Sequence, residues 1–325
     1  MTLVKKYIRW LFVFLFTLVL VSCGLKNDAA NKLENNQGNG EENKEVNDTI
    51  EYSDRGGFLW KVENGDTKVY LQGTIHLGNE DTFPLNKHAE TSYEEADVVV
   101  VMPEIDLTEI NMVETQTMFM EYGTYDEDKT IADDINKESV ERLEEIVEEA
   151  GIPFELVESF KPWYIDSLLL ELALEETPFS SDYSVDSYFL DRAVEDEKEV
   201  IELESFDSQL ALLSGFSMEH QIKSLETTIE MYQEAAKEIE EMFNVWLKGD
   251  VDKMTEYAKA SFEENSEYKE KMNDERNIDM AASIKEILEE DDGRTYFVIV
   301  GSMHYIAEPS IISILEENYD VEHIY

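Results

Sequence analysis

The chain reads as an α/β fold: a central mixed sheet built from two βαβ-like units at the chain ends, with a large helical insertion between them. Two stretches predict the sheet. Near the start, "VYLQGTIHLG" (69–78) runs a β-rich segment into a Gly that is followed three residues later by a His. Near the end, "YFVIVGSMHYI" (296–306) repeats the arrangement, in a chain of 325 residues with only five histidines. Between them, long Glu-rich segments carry apolar residues at helical spacing and predict the insertion.

The N-terminus reads as processing rather than fold. Lys5, Lys6 and Arg9 precede the apolar run "WLFVFLFTLVLV", and "LVSC" follows. Residues 1–22 are predicted to be a secretory signal. Its end resembles the lipobox of bacterial lipoproteins, which implies cleavage before Cys23 and diacylglyceryl attachment to its thiol. That would place the chain on the extracytoplasmic face of the cell membrane. The competing reading is an ordinary transmembrane anchor, for which the run is short against the roughly 20 apolar residues of a full span. Residues 23–55 are rich in Asn, Glu, Gly and Lys and poor in large apolar residues. Such a segment cannot bury enough surface to offset its ordering entropy and is read as a flexible tether. Residues 56–325 form the predicted folded domain.

Charge and cysteine count exclude several function classes. The chain has 26 basic and 75 acidic residues, a net charge of −49, so nucleic acid and anionic lipid are poor partners for the folded part. A solvated surface suited to salt or alkaline medium explains this charge, and a cationic substrate is the sharper alternative. Cys23 is the single cysteine. No disulfide can close within the chain, and any metal must be held by His and carboxylate. The sequence contains no phosphate-binding glycine loop, no Gly-x-Ser-x-Gly and no His-Glu-x-x-His, so nucleotide-dependent and common zinc-protease mechanisms have no support.

Along the folded part, "FLWKV" and "KVYLQG" flank "ENGDT" and predict a hairpin. A helix starting near Pro84 leads to "VVVVM", a continuous apolar run typical of a strand buried on both faces. In the middle, Val140, Leu143, Val147 and Ala150 predict a helix that Gly151 and Pro153 stop. "FKPWYIDSLLLELAL" and "DSYFLDRAVEDEK" predict two more, and "EVIELES" a short strand. From about Met218 to Leu288 long helices follow, with Ile222, Leu225, Ile229, Tyr232, Ile284 and Leu288 on one side. The strand "TYFVIV", a GSMH loop, a helix near Pro309 and a last strand "DVEHIY" close the chain. The two Gly-x-x-His strands are expected to be neighbours in one sheet, with both histidines at the strand ends, where ligand sites of such sheets lie.

His76 and His304 are therefore the first candidates for chemistry. Two neutral imidazoles with one or two carboxylates would make a metal site with an open position. The bland alternative is that each His caps a strand end. His88, His220 and His323 read as structural or surface, and Trp60, Trp163 and Trp246 as core.

At this point the sequence resembles the TraB/PrgY/GumN family, whose animal members include the Tiki proteases. The resemblance rests on Gly73-Thr74-Ile75-His76, "EEADVVVVMPEID", "KPWY" at 161–164, "LESFDSQL" at 203–210, "WLKGD" at 246–250, Arg276-Asn277 with Met280, and Gly301-Ser302-Met303-His304. It implies a mixed sheet surrounded by helices and, for the Tiki members, metal-dependent peptide cleavage. It also implies a Glu at the end of the strand after the first helix, where this chain has Met102. Glu104, two residues on and on the same strand face, is the candidate replacement, with Asp106 a further one. Glu204 ends the short strand, where the family also has a Glu. The resemblance gives Arg276 an oxyanion-stabilising or carboxylate-holding role. The combined reading is a lipid-anchored extracytoplasmic metallohydrolase, with peptides as its expected substrates. His76, His304 and Glu104 or Glu204 would hold a divalent Zn, Mn or Co ion, and a carboxylate off the metal would act as general base. The rival is a non-catalytic surface lipoprotein that binds peptide, metal or haem, which the Met102 substitution favours.

Overall fold

The computed structural model describes residues 56–102, 120–126, 128–204, 206–262 and 265–325. Cys23, the signal and tether, Glu104 and Asp106 lie outside the described residues.

Strands β1 (Phe58–Asn64) and β2 (Thr67–Thr74) form the expected hairpin. The connection is Gly65-Asp66, and Gly65 takes a φ of +58°, which glycine adopts without strain. Helix α1 (Lys87–Glu95) follows. It starts three residues after Pro84, because the Asn86 side chain accepts from the His88 and Ala89 amides and so caps the first turn. Strand β3 (Val98–Val101) is fully buried.

The insertion comprises α2 (Lys137–Glu149), α3 (Pro162–Glu175), α4 (Val185–Glu195), the short strand β4 (Glu199–Glu202), α5 (Phe206–Ser214), α6 (Met218–Leu247), α7 (Val251–Phe262) and α8 (Ser266–Lys269). A π-helical turn, Glu270–Asp274, joins α8 directly to α9 (Glu275–Glu290). The chain then closes with β5 (Thr295–Gly301), α10 (Ser302–Ile306), α11 (Ile311–Glu316) and β6 (Val321–His323). The predicted GSMH loop is thus the first turn of a short helix: the chain leaves β5 at Gly301 and coils at once, putting His304 on α10.

The sheet order is β4-β3-β5-β2-β1-β6. β2, β5, β3 and β4 pair in parallel, whereas β1 pairs antiparallel with both β2 and β6. The two Gly-x-x-His strands are neighbours, as their matching contexts predict. The end units interleave rather than stand side by side, since β5 inserts between β2 and β3. Tyr296 to Val300 of β5 are all buried, which is why this strand reads as a continuous apolar run.

Two apolar cores result. The larger surrounds the sheet and includes Trp60 and Trp246. The smaller belongs to the insertion, where Leu143, Ile146 and Val147 of α2 meet Ile165, Leu169 and Leu172 of α3 and Leu225 and Ile229 of α6. Burying each such side chain stabilises by roughly 1.5–3 kcal/mol, so the insertion has packing of its own.

Candidate functional site

The two motifs interlock at the ends of β2 and β5. Gly73 lies opposite Val300, and Thr74 opposite Gly301. Ser302 Oγ donates to the Thr74 carbonyl at 2.8 Å. A Cβ on Gly73 would come within 2.9 Å of that hydroxyl and 3.3 Å of the Phe58 ring. The first motif therefore requires glycine so that the second can press against it. A Cβ on Gly301 would lie 3.7 Å from His304 Cδ2 and 3.7 Å from His76 Nε2. Both imidazoles thus look over one glycine into one pocket, lined further by Met102, Phe262, Tyr268, Met272, Asn273, Arg276 and Met303.

His76 is oriented by Asp186. Its Nδ1 lies 2.9 Å from Asp186 Oδ2, and Asp186 Oδ1 accepts from Thr74 Oγ1 at 2.9 Å. Asp186 sits in the first turn of α4, which is tied to the motif because the Val185 amide donates to the Ile75 carbonyl at 3.2 Å. Asp186 Oδ2 is buried and has no well-aligned hydrogen bond. Its hold on His76 is therefore a charge–imidazole contact rather than a directional bond. A proton on Nδ1 is the favoured arrangement beside a carboxylate, which leaves the Nε2 lone pair facing the pocket.

His304 is fixed differently. Its Nδ1 lies 2.6 Å from Asn277 Oδ1. Asn277 Nδ2 donates to the Pro309 carbonyl at 2.7 Å and to Asn273 Oδ1 at 3.1 Å, which identifies the amide end that faces His304 as oxygen. His304 Nδ1 must then carry the proton, and Nε2 accepts from Arg276 Nη1 at 3.3 Å. Burial, the Arg276 charge and His76 hold its pKa well below the usual imidazole value, so it is neutral.

Arg276 is clamped. Its Nε donates to Glu204 Oε1 at 2.9 Å and its Nη2 to Oε2 at 2.7 Å, a bidentate pair. Gln209 Nε2 adds a bond to Oε2 at 3.3 Å. Burial pushes the Glu204 carboxyl up, but the Arg276 hydrogen bonds and charge outweigh it and hold the pKa below the ordinary value.

Residues 58–323 match the TraB/PrgY/gumN family. The chain belongs to this family. The uncharacterized protein YbaP of Escherichia coli (strain K12) and that of Shigella flexneri are each 23% identical to this member over 183 residues, 56% of this chain. The matched region spans 65% of each relative, just under two thirds of their length. No solved structure matches the chain.

The fold brings His76, His304, Arg276 and Glu204 together from four distant points of this TraB-family sequence. Met102 stands in the pocket wall at the position where the resemblance expects a Glu. Glu104 lies outside the described residues. Among the described residues, no group of three or more His, Cys, Asp or Glu stands close enough to hold a metal ion. The pocket offers two imidazole nitrogens, one already in contact with a guanidinium, and both Glu204 oxygens are engaged by Arg276. This described donor set, to which Glu104 does not belong, falls short of the three protein ligands a catalytic ion takes. Sequence reasoning missed Asp186 and Asn277. Asn277 is named by the Arg-Asn-x-x-Met match without a role, and Asp186 has only the helix-start pattern Ser184-Val185-Asp186 to single it out among 75 acids.

Proposed function

We propose that this TraB-family chain is a hydrolase of carbonyl compounds, with peptides first among them, and that His76 is its general base. One observation carries the reading: His76 Nδ1 rests on the buried Asp186 while its ring shares a pocket with Arg276. In this scheme Nε2 of His76 takes a proton from a water as the water oxygen attacks the carbonyl carbon. Arg276 stabilises the charge that develops on the carbonyl oxygen. The carbon–leaving-group bond then breaks, and His76 returns its proton to the departing nitrogen or oxygen. Asp186 holds the His76 tautomer, while Glu204 and the neutral His304 aim the guanidinium. The resemblance to the animal members, which implies metal-dependent peptide cleavage, supports peptides as the first substrates to test.

The lipid anchor at Cys23 and the extracytoplasmic location belong to the same proposal. They rest on the "LVSC" signal end; among the described residues no helix is long and apolar enough to cross a membrane.

The test is hydrolysis of a peptide library and of simple esters by wild type, His76→Ala and Arg276→Ala, each with and without chelator. Activity lost in both variants and unchanged by chelator supports the scheme. Activity abolished by chelator and restored by Zn, Mn or Co would replace it with the metal reading, in which His76, His304 and Glu104 hold the ion. Ligand binding with no cleavage of any substrate would favour the non-catalytic binding protein.

A further inference from the structure

Besides His76, His304, Arg276, Asn273 and Gly301, the wall of the pocket is made of apolar and aromatic side chains. Met102 follows β3, Phe262 ends α7, Tyr268 lies in α8, Met272 in the π turn and Met303 in α10. We propose that this wall receives the acyl group of the substrate, and that the group is small, neutral and apolar. The inference rests on the hydrolase reading and adds a substrate class to it.

Size comes from the cavity, which is about 30 Å³. At roughly 10–15 Å³ for each water it holds two or three non-hydrogen atoms in all, the attacking water included. The methyl of an acetyl group fits; a hexanoyl chain does not unless a wall residue yields.

Charge excludes the alternatives. Among the described residues that line the pocket there is no carboxylate, so a cationic side chain would be buried without a partner and beside Arg276. An anionic group would occupy the Arg276 N–H groups that the scheme reserves for the developing oxyanion, and so would bind without reacting. The pocket therefore rejects the cations that a surface of net charge −49 would concentrate around it.

Met272 is the wall residue chosen to test the limit. It is unbranched, 8% exposed, and carried by a π turn, an irregularity that often accompanies functional sites. Shortening it opens the wall without touching His76, Asp186 or Arg276.

The experiment labels the methionine methyl groups of the full chain with carbon-13 and titrates acetamide, butyramide, hexanamide and the cationic 4-aminobutyramide. The Met102, Met272 and Met303 signals are expected to shift with acetamide and not with hexanamide or the cationic amide at equal concentration. Hydrolysis of 4-nitrophenyl acetate is expected to exceed that of the hexanoate by at least about tenfold after correction for their intrinsic reactivities. Met272→Ala is expected to admit hexanamide and to close that gap; Met272→Val serves if the alanine variant does not fold. Equal response to hexanamide or to the cationic amide in wild type overturns the inference. Methyl shifts in the expected order without hydrolysis of any ester uphold the pocket and sink the hydrolase reading. Hydrolysis indifferent to chain length and charge does the reverse.

Discussion

The sheet end and the helical insertion each hold a carboxylate largely away from water, and shift its pKa in opposite directions. Glu204 meets a guanidinium with two bonds of 2.9 and 2.7 Å, and its pKa lies below the ordinary value despite burial. Asp166 of α3 is 2% exposed and meets hydroxyls: Ser224 Oγ donates to Oδ2 at 2.6 Å. Burial pushes its pKa up to about 6, and the Ser224 and Thr228 hydroxyls pull it only part of the way back. A full opposite charge offsets desolvation, whereas neutral donors do not. The insertion repeats its pattern at Glu171, pushed up to about 7 by burial and then Glu175 and Asp182, and at Glu238, pushed up to about 8 by burial, Glu241 and Glu234. Burial thus raises these three carboxyls of the insertion, while the Arg276 pairing lowers the one at the pocket.

Removing the guanidinium breaks this contrast most severely. Arg276→Ala leaves Glu204 enclosed without its partner and His304 without its Nε2 contact. Loss of the oxyanion partner is expected to lower kcat by roughly 10²–10³-fold, and the stranded carboxylate to cost about 3 kcal/mol of stability. Arg276→Lys is expected to recover part of the stability and little of the rate, because an ammonium cannot make the two-bond fork. Steady-state rates and denaturant midpoints check both. A rate within threefold of wild type in Arg276→Ala would remove Arg276 from the chemistry.

Asp186→Asn is the next in size. Asn keeps the shape and the bond with Thr74 Oγ1, so folding is expected to survive. It replaces the carboxylate beside His76 Nδ1 with a neutral amide, and the rate is expected to fall by at least about 10²-fold with an altered pH–rate profile. A structural role alone would move the melting temperature and leave that profile in place.

These residues were unequally legible in the sequence. His76 and His304 stood out because a Gly-x-x-His after an apolar strand occurs twice in a histidine-poor chain, and the pairing of β2 with β5 follows from that repetition. Arg276 and Glu204 became visible through the family resemblance, but their mutual clamp did not, since they are 72 residues apart and only packing brings them together. Glu204, read from sequence as a metal ligand or base, is held as the partner of Arg276. Asp186 was hidden for a physical reason: in a chain of 75 acids a single Asp carries no signal, and its distinction is burial. The interleaving of β5 between β2 and β3 was likewise beyond local pattern, because an apolar run does not say which strand it will join.

The chelator prediction separates the two chemistries at smaller cost to the fold. The proposed scheme uses no metal, so under it chelation is expected to change the rate by less than about twofold, and to leave the melting temperature where it is. Metal bound in the native state would contribute stability of its own. A drop in melting temperature with chelator, reversed by Zn, Mn or Co, would therefore reveal an ion at this end of the sheet even if no substrate were known.

A pH-dependent difference in stability sharpens the other half of the comparison. Asp166 has a folded pKa of about 6 against an ordinary value of 3.8. A raised value means that the folded state keeps a proton the unfolded state has released, so stability is full below about 3.8 and is lost as pH rises through 6. Asp166→Asn keeps the neutral state at every pH. Its stability relative to wild type is therefore expected to rise between those two values and then stay level, by on the order of 1–3 kcal/mol. Glu204 and His304 run the other way: their lowered pKa values withdraw stability as pH falls, below about 4.5 and 6.5 respectively. Because both variant and wild type share those groups, the difference between their melting curves isolates the insertion. A difference that is constant from pH 4 to pH 8 would show that Asp166 is not held neutral, and that its hydroxyl partners suffice where Glu204 needs an arginine.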